Sequence, residues 1–182
     1  MATFGERVLG ALRLDVQTFE EVEADRSATG QAMLVVVLAS IASGIGTLGQ
    51  GGRAGFVGGL LGALGGWVVW AFLTYWIGTR LLPAPETRAD MGQLLRTIGF
   101  AQSPGLLRVL GIVPILGRLV LLVSAIWMLA AFVVAVRQAL DYRGTGRAAA
   151  VCAIGFLAYL AVSAVIFLLF GIDPRSIGGR TS

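Results

Sequence analysis

Histidine, lysine and asparagine are absent from this 182-residue chain, and cysteine occurs once, at Cys152. Without histidine or lysine there is no base for Ser–His or Ser–Lys hydrolysis. No acid lies in any of the four long uncharged runs, so an intramembrane aspartate pair is missing as well. A single cysteine excludes a disulfide framework and leaves too few ligands for zinc or iron. A P-loop needs a lysine that this chain lacks, and a proton-coupled pump normally needs an intramembrane carboxylate or histidine. No enzymatic activity, catalytic residue, metal or cofactor is therefore expected. Charge is scarce too, at 13% of residues, where soluble domains carry about a quarter.

What is present is apolar. Hydrophobic residues make up 57% of the chain and the mean hydropathy is +0.85. This excludes a soluble enzyme and a disordered tail, and places most of the chain in lipid. All fourteen basic residues are arginine, a composition that resembles the coding bias of a GC-rich bacterial genome. A net charge of +4 and a pI near 10.2 could suggest nucleic acid. No basic cluster exists, however, and the arginines are accounted for by topology and lipid head groups, so no nucleic-acid partner is expected.

Nine of the 24 charged residues fall in the first 26 positions. Phe4, Val8, Ala11 and Leu12 share one arc of a helical wheel, with Glu6 and Arg13 opposite, which predicts a short helix on the membrane surface. Thr18 and Glu21 have the spacing of a capping box. Five acids follow from Asp15 to Asp25, a solvated face or an acidic docking patch. Four uncharged runs predict spans: Ala32–Gly49, Ala54–Gly78, Leu119–Val136 and Ala148–Ile172.

Between them, Gln93–Gly117 is apolar but holds Arg96, Arg108, Pro104 and Pro114. Eleven residues between the arginines are too few to cross a bilayer. Ser103-Pro104 reads as a helix start, with Ser103 as N-cap and Pro104 first in the helix. The expectation is helix, break at Gln102-Ser103, then a second helix, forming either a broken span or a re-entrant pair. Five spans divide the arginines nine to five, and four spans ten to four. Both place the N-terminus in the cytoplasm.

Gly44-Ile45-Gly46-Thr47-Leu48-Gly49 has the letters of a dinucleotide fingerprint, without the strand or the following acid that motif needs. Gly55, Gly58, Gly59, Gly62 and Gly66 make a smooth helix groove, for packing within the chain or for self-association. Trp67, Trp70 and Trp127 sit inside apolar runs, where tryptophan packs between helices with its N–H on a carbonyl, or stacks a ligand. Cys152 is read as apolar filler. From Met91 to Leu140 there is no acid. Arg96, Ser103, Arg108 and Arg118 are accordingly candidates for a lipid-phosphate or anion site, against separate snorkelling of each arginine.

The run Leu95-Arg96-Thr97-Ile98-Gly99-Phe100-Ala101-Gln102-Ser103-Pro104 resembles the signature of bacterial Yip-domain proteins, relatives of the eukaryotic Ypt/Rab-interacting membrane proteins. Val113-Pro114-Ile115-Leu116-Gly117, Trp127, and Arg137-Gln138-Ala139-Leu140 before Arg147-Ala148 fit the same pattern. So does the opening from Phe19-Glu20-Glu21 to Gln31-Ala32. The resemblance, over roughly residues 16–172, implies five membrane helices with a cytoplasmic N-terminus and no catalytic residues. Eukaryotic members act in vesicle traffic, membrane shaping and GTPase binding; bacteria lack that GTPase machinery, so only the fold and a membrane-organising role carry over. The expected protein is all-α: a polytopic integral membrane bundle of five transmembrane helices with a short amphipathic arm. Residues 1–31 form the cytoplasmic arm, 32–172 the membrane domain and 173–182 a polar tail. Its expected place is the bacterial inner membrane. The expected partners are the lipid bilayer, with anionic phospholipid at the arginines, and a homo- or hetero-oligomer through membrane helices. The rival is a small transporter or anion channel subunit built around the break at 93–117, since broken helices build mid-membrane sites and arginine rings select anions.

Overall fold

A computed structural model describes residues 2–46, 52–113 and 116–170, with side-chain surroundings over 2–45, 60–113 and 116–165. Within these residues the chain is all-helical: α1 (Phe4–Leu12), α2 (Val16–Ala24), α3 (Ala28–Gly46), α4 (Gly52–Trp76), α5 (Met91–Phe100), α6 (Gly117–Ala139) and α7 (Thr145–Phe170). A π-helical turn, Ile77–Leu81, extends α4, and a 3₁₀ segment, Ser103–Ile112, follows α5. Four helices are long and apolar enough to cross a membrane: Ala28–Ile45, Leu60–Leu81, Gly117–Ala139 and Thr145–Val165. The chain is a polytopic helical membrane protein. Its outer surface carries a belt of exposed large apolar side chains, among them Leu61, Phe72, Leu119, Leu122, Ile126, Leu129, Phe156 and Leu157, as lipid contact requires.

The segment whose course was open in the sequence runs beside α3 and in the same direction. A Cβ at Gly99 would lie 2.7 Å from the Ala32 Cβ, and one at Gly105 would lie 3.2 Å from the Ala39 Cβ. Arg108 then reaches the Ser43 hydroxyl. A largely 3₁₀ path from Gly99 to Arg108 rises about 18 Å, close to the roughly 16 Å that α-helix rises from Ala32 to Ser43. The two elements therefore keep step. α6 returns antiparallel, with Met128 against Gly105 and Ser124 against Arg108.

The helix breaks at Ala101-Gln102, and Gln102, not Ser103, holds the capping position of the 3₁₀ segment. Ser103 is instead buried, and its hydroxyl donates back to the Phe100 carbonyl at 2.6 Å. The amides of Ala101 and Gln102 close on the carbonyls of Thr97 and Gly99, and the Gly105 amide closes on the Gln102 carbonyl. The Trp67 indole donates to the Leu95 carbonyl at 3.0 Å. The Phe100, Thr97, Gly99 and Gln102 carbonyls beside the break thus have protein donors, as a break at membrane depth demands, while Leu95, inside α5, takes the indole as an additional donor.

The N-terminal arm departs from expectation in two ways. α2 begins at Val16 with Asp15 as its cap, accepting from the amides of Gln17 and Thr18. The Thr18–Glu21 capping box does not form, because Asp15 offers a carboxylate three residues earlier and Glu21 is drawn to Arg7. α1 turns its apolar arc onto protein: Ala11 is fully buried, and Phe4 meets the Phe100 ring at 6.5 Å. The Trp127 indole, in α6, donates to the Leu12 carbonyl at 2.9 Å. Ala11, Phe19 and Val22 belong to the same apolar core as Ile98, Ala131 and Ala135.

Gly99→Val places two methyl groups into the Ala32 backbone contact. It should cost about 1–3 kcal/mol by overpacking, read as a lower unfolding temperature in mild detergent. Gly144→Ala, at an exposed turn with open space around it, should leave that temperature unchanged.

Candidate functional site

An arginine in an apolar bundle needs acceptors, and its planar fork can satisfy several at once. Arg96 is 5% exposed. Its Nε donates to the carbonyls of Val22 at 3.0 Å and Glu23 at 3.1 Å, and its Nη2 donates to Glu23 as well. Those are the last carbonyls of α2, which have no partner within their own helix. Arg96 therefore ties the arm to α5.

Arg108 is half-buried on the 3₁₀ segment. Its Nε reaches the Ser124 hydroxyl at 3.3 Å, and its Nη1 reaches Ser43 at 3.4 Å. Both bonds are long, and no acid faces it among the described residues. Arg118 is exposed at the start of α6. The four candidates are thus spread along the bundle: Arg96 and Ser103 are committed to backbone carbonyls, Arg108 to two hydroxyls, and Arg118 faces outward. Pro104 is buried in the first turn of the 3₁₀ segment, and Pro114 lies outside the described residues.

The glycine groove is described in part. Gly62 has open space where a Cβ would stand, and a Cβ at Gly66 would meet the Tyr159 hydroxyl of α7 at 3.0 Å. The surroundings of Gly55, Gly58 and Gly59 lie outside the described residues.

The strongest polar cluster was not singled out from the sequence. Arg7 is 2% exposed, and its Nη2 bridges Glu21 at 2.9 Å and Asp25 at 2.7 Å. Its Nη1 donates to the Gln31 side chain at 3.0 Å. The Arg7 bond, then the Ala2 amide, hold the Glu21 carboxyl below its ordinary range. The Ser27 hydroxyl, with Arg7 behind it, pulls Asp25 down to about 2. A signal did exist: Arg7 lies one turn from Ala11 on the apolar face of α1, where an unpaired charge is untenable.

Beside this cluster Glu23 accepts from the Gln93 amide at 3.0 Å. Burial first, then the nearby Asp141 carboxylate, push its pKa up to about 7, against the pull of Arg96. Glu20 and Asp90 add to the negative field. Glu20, Glu23, Arg137, Gln138 and Asp141 line an open polar cleft between α2 and the end of α6.

The site is therefore an arm clamped to one end of a lipid-embedded bundle through Arg7, Arg96 and Trp127. A family model for the Yip1 domain matches residues 10–166. No curated protein and no solved structure matches the chain.

Two measurements follow from this geometry. Arg96→Met removes the donors to the end of α2 and should lower stability by about 1–3 kcal/mol, while Arg118→Gln should not. Glu23 is raised from 4.5 to about 7, so the native state holds its proton more tightly than the unfolded chain. The Glu23 contribution to stability should be full below about pH 4.5 and be lost as pH rises to about 7. Glu23→Gln should flatten that fall in unfolding temperature; parallel profiles for the two proteins would show that Glu23 does not titrate there.

Proposed function

The chain belongs to the Yip1-domain family, and from that premise we propose that it is a non-enzymatic organiser of the bilayer and of partner membrane proteins. The observation that carries this reading is the clamped arm. Among the described residues, α1 and α2 add their width at the end of the bundle where α5 begins and α6 finishes. A body broader at one leaflet than at the other favours a curved bilayer. Leu9, 53% exposed on α1, extends the apolar belt at that end.

The course of α5 and the 3₁₀ segment supports counting them as a fifth pass, since together they rise about 35 Å, enough for a hydrocarbon core of about 30 Å. With five passes the arm shares its side with nine arginines, Arg7, Arg13, Arg26, Arg80, Arg88, Arg96, Arg137, Arg143 and Arg147. That excess supports a cytoplasmic arm.

The rival, an anion-conducting subunit, draws on Arg108, which faces hydroxyls and no carboxylate. Reconstitution separates the two. In liposomes of anionic phospholipid, the organiser should reduce vesicle diameter as protein content rises, with anion flux no greater than in empty vesicles. The triple change Arg7→Met, Arg96→Met and Trp127→Phe, which removes all three clamps on the arm, should abolish the size change. Saturable anion uptake that Arg108→Gln removes would overturn the organiser in favour of the channel.

A further inference from the structure

The elements α4, α6 and α7 and the α5–3₁₀ pair leave a cavity of about 320 Å³ between them, and it sits near the middle of each. Leu129 is one residue from the centre of α6, and Phe156 and Tyr159 are within two of the centre of α7. Gly66 is two from the centre of α4, and Gln102 stands at the junction of α5 with the 3₁₀ segment. All five line the cavity. Its mouth lies between Gly62, Leu129 and Phe156, all exposed. Leu129 and Phe156 belong to the apolar belt, so entry is sideways, from hydrocarbon and not from water.

Two polar side chains border this mid-membrane space. Tyr159 and Gln102 are half-buried, and neither the Tyr159 hydroxyl nor the Gln102 side-chain amide has a hydrogen-bond partner among the described residues. Neither is sealed in: among those residues, the unpartnered side-chain atoms that are wholly buried are Arg7 Nε, Trp70 Nε1 and Thr74 Oγ1. Trp70 therefore offers the cavity only its ring, which packs on Phe132 at 5.9 Å and edge-on to Tyr159 at 6.1 Å. Gly66 makes room for the hydroxyl, since a Cβ there would stand 3.0 Å from it. A phenol and an amide left open to hydrocarbon carry a desolvation cost that an acceptor on a guest would offset.

The lining selects that guest on three counts. Water is disfavoured, because a space of this size would hold several molecules, each needing two to four polar partners, and the lining supplies two polar side chains. Depth excludes phospholipids and fatty acids, whose charged heads stay at the interface. Shape and chemistry then call for a flat body with acceptors. Trp67, Trp70, Phe132 and Tyr159 present rings on which another ring packs, while the phenol hydroxyl and the amide NH₂ both donate. A neutral ring bearing carbonyl oxygens on an apolar tail meets all three conditions. The volume is near the lower limit of ligand pockets, about 300 Å³, enough for the ring with its tail trailing through the mouth.

We propose that this cavity binds the ring of an isoprenoid quinone, its carbonyl oxygens accepting from the Tyr159 hydroxyl and the Gln102 amide. The tail leaves past Gly62, where the absence of a side chain keeps the mouth clear. This site goes beyond the organiser role and does not rest on it, since it is a binding property of the bundle alone.

The carbonyls are the testable atoms. The full-length protein in mild detergent is offered equal amounts of a trimethyl-decyl-para-benzoquinone and the trimethyl-decylbenzene of the same outline, and retained ligand is counted by native mass spectrometry. Full substitution of the ring keeps the Cys152 thiol, in the same lining, from adding to it. The quinone should be retained over the hydrocarbon by about tenfold, the fold-change of two modest net hydrogen bonds. Tyr159→Phe should cut that preference, and Tyr159→Phe with Gln102→Leu should abolish it while hydrocarbon is still retained. Because neither polar end has a partner in the fold, this double variant should keep or raise the unfolding temperature of the ligand-free protein. Ala63→Phe, at the lining of the cavity, should lower retention of both compounds. Equal retention by the wild type would overturn the proposal, as would an unchanged preference or a lower unfolding temperature in the double variant. A wild-type dimer that the double variant converts to monomer would assign the two polar ends to a second copy of the chain and overturn it as well.

Discussion

A bilayer supplies no water to a broken helix, and the arrangement of the bundle follows from meeting that condition at Ala101-Gln102. The break is tolerable because the groups it frees are taken up by Ser103 and by tight turns. It must also be covered, which brings α3 to within contact of Gly99 and Gly105. Residues with larger side chains at these two places would hold α3 away and expose the break. Close approach on one side then fixes α6 on the other, where Met128 fills the space beside Gly105. The 3₁₀ form of the second half follows the same logic: its longer rise per residue covers the depth that α3 covers with more residues.

Cations in this protein work as connectors. A guanidinium presents five donors in a fixed fork, and Arg7 and Arg96 each use it to join elements distant in sequence. An ammonium group at Arg96 would be a point charge and could not span two successive carbonyls in the same geometry. Exclusive use of arginine therefore has a structural consequence, whatever its genomic origin. The acids are placed to match. Glu21 and Asp25 sit where Arg7 can reach both, one turn apart in the last turn of α2 and at its C-cap.

The spans were legible because lipid imposes a length and a composition, and runs such as Leu119–Val136 meet both without interruption. The break was legible because Ser103-Pro104 interrupts an apolar segment that two arginines already mark as unusual. Its form was not: propensity does not distinguish a 3₁₀ path from an α path when the neighbour, here α3, sets the rise. The arm was misread as lying on lipid because its apolar arc fits a membrane surface and a protein surface equally well. Only Arg7, on the wrong face, carried the information that protein lay there, and its partners are 14 to 24 residues away. The glycine stripe was visible as a groove, but that Gly62 and Gly66 border a cavity depends on α6 and α7, which no local pattern encodes.

The Trp127–Leu12 bond joins residues 115 positions apart, and that interval orders biogenesis. The arm leaves the ribosome before α5 and α6 and can close its own Arg7–Glu21–Asp25 cluster at once, since these three lie within 18 positions of one another. Its apolar face has nowhere to dock until α5 and α6 have been inserted. Phe4, Phe19 and Val22 therefore stay uncovered in every nascent chain that has not yet delivered Trp127. The arm thus reports on insertion through α6: only a chain that has delivered Trp127 buries it, and one stalled earlier displays a short hydrophobic surface that chaperones and proteases can read.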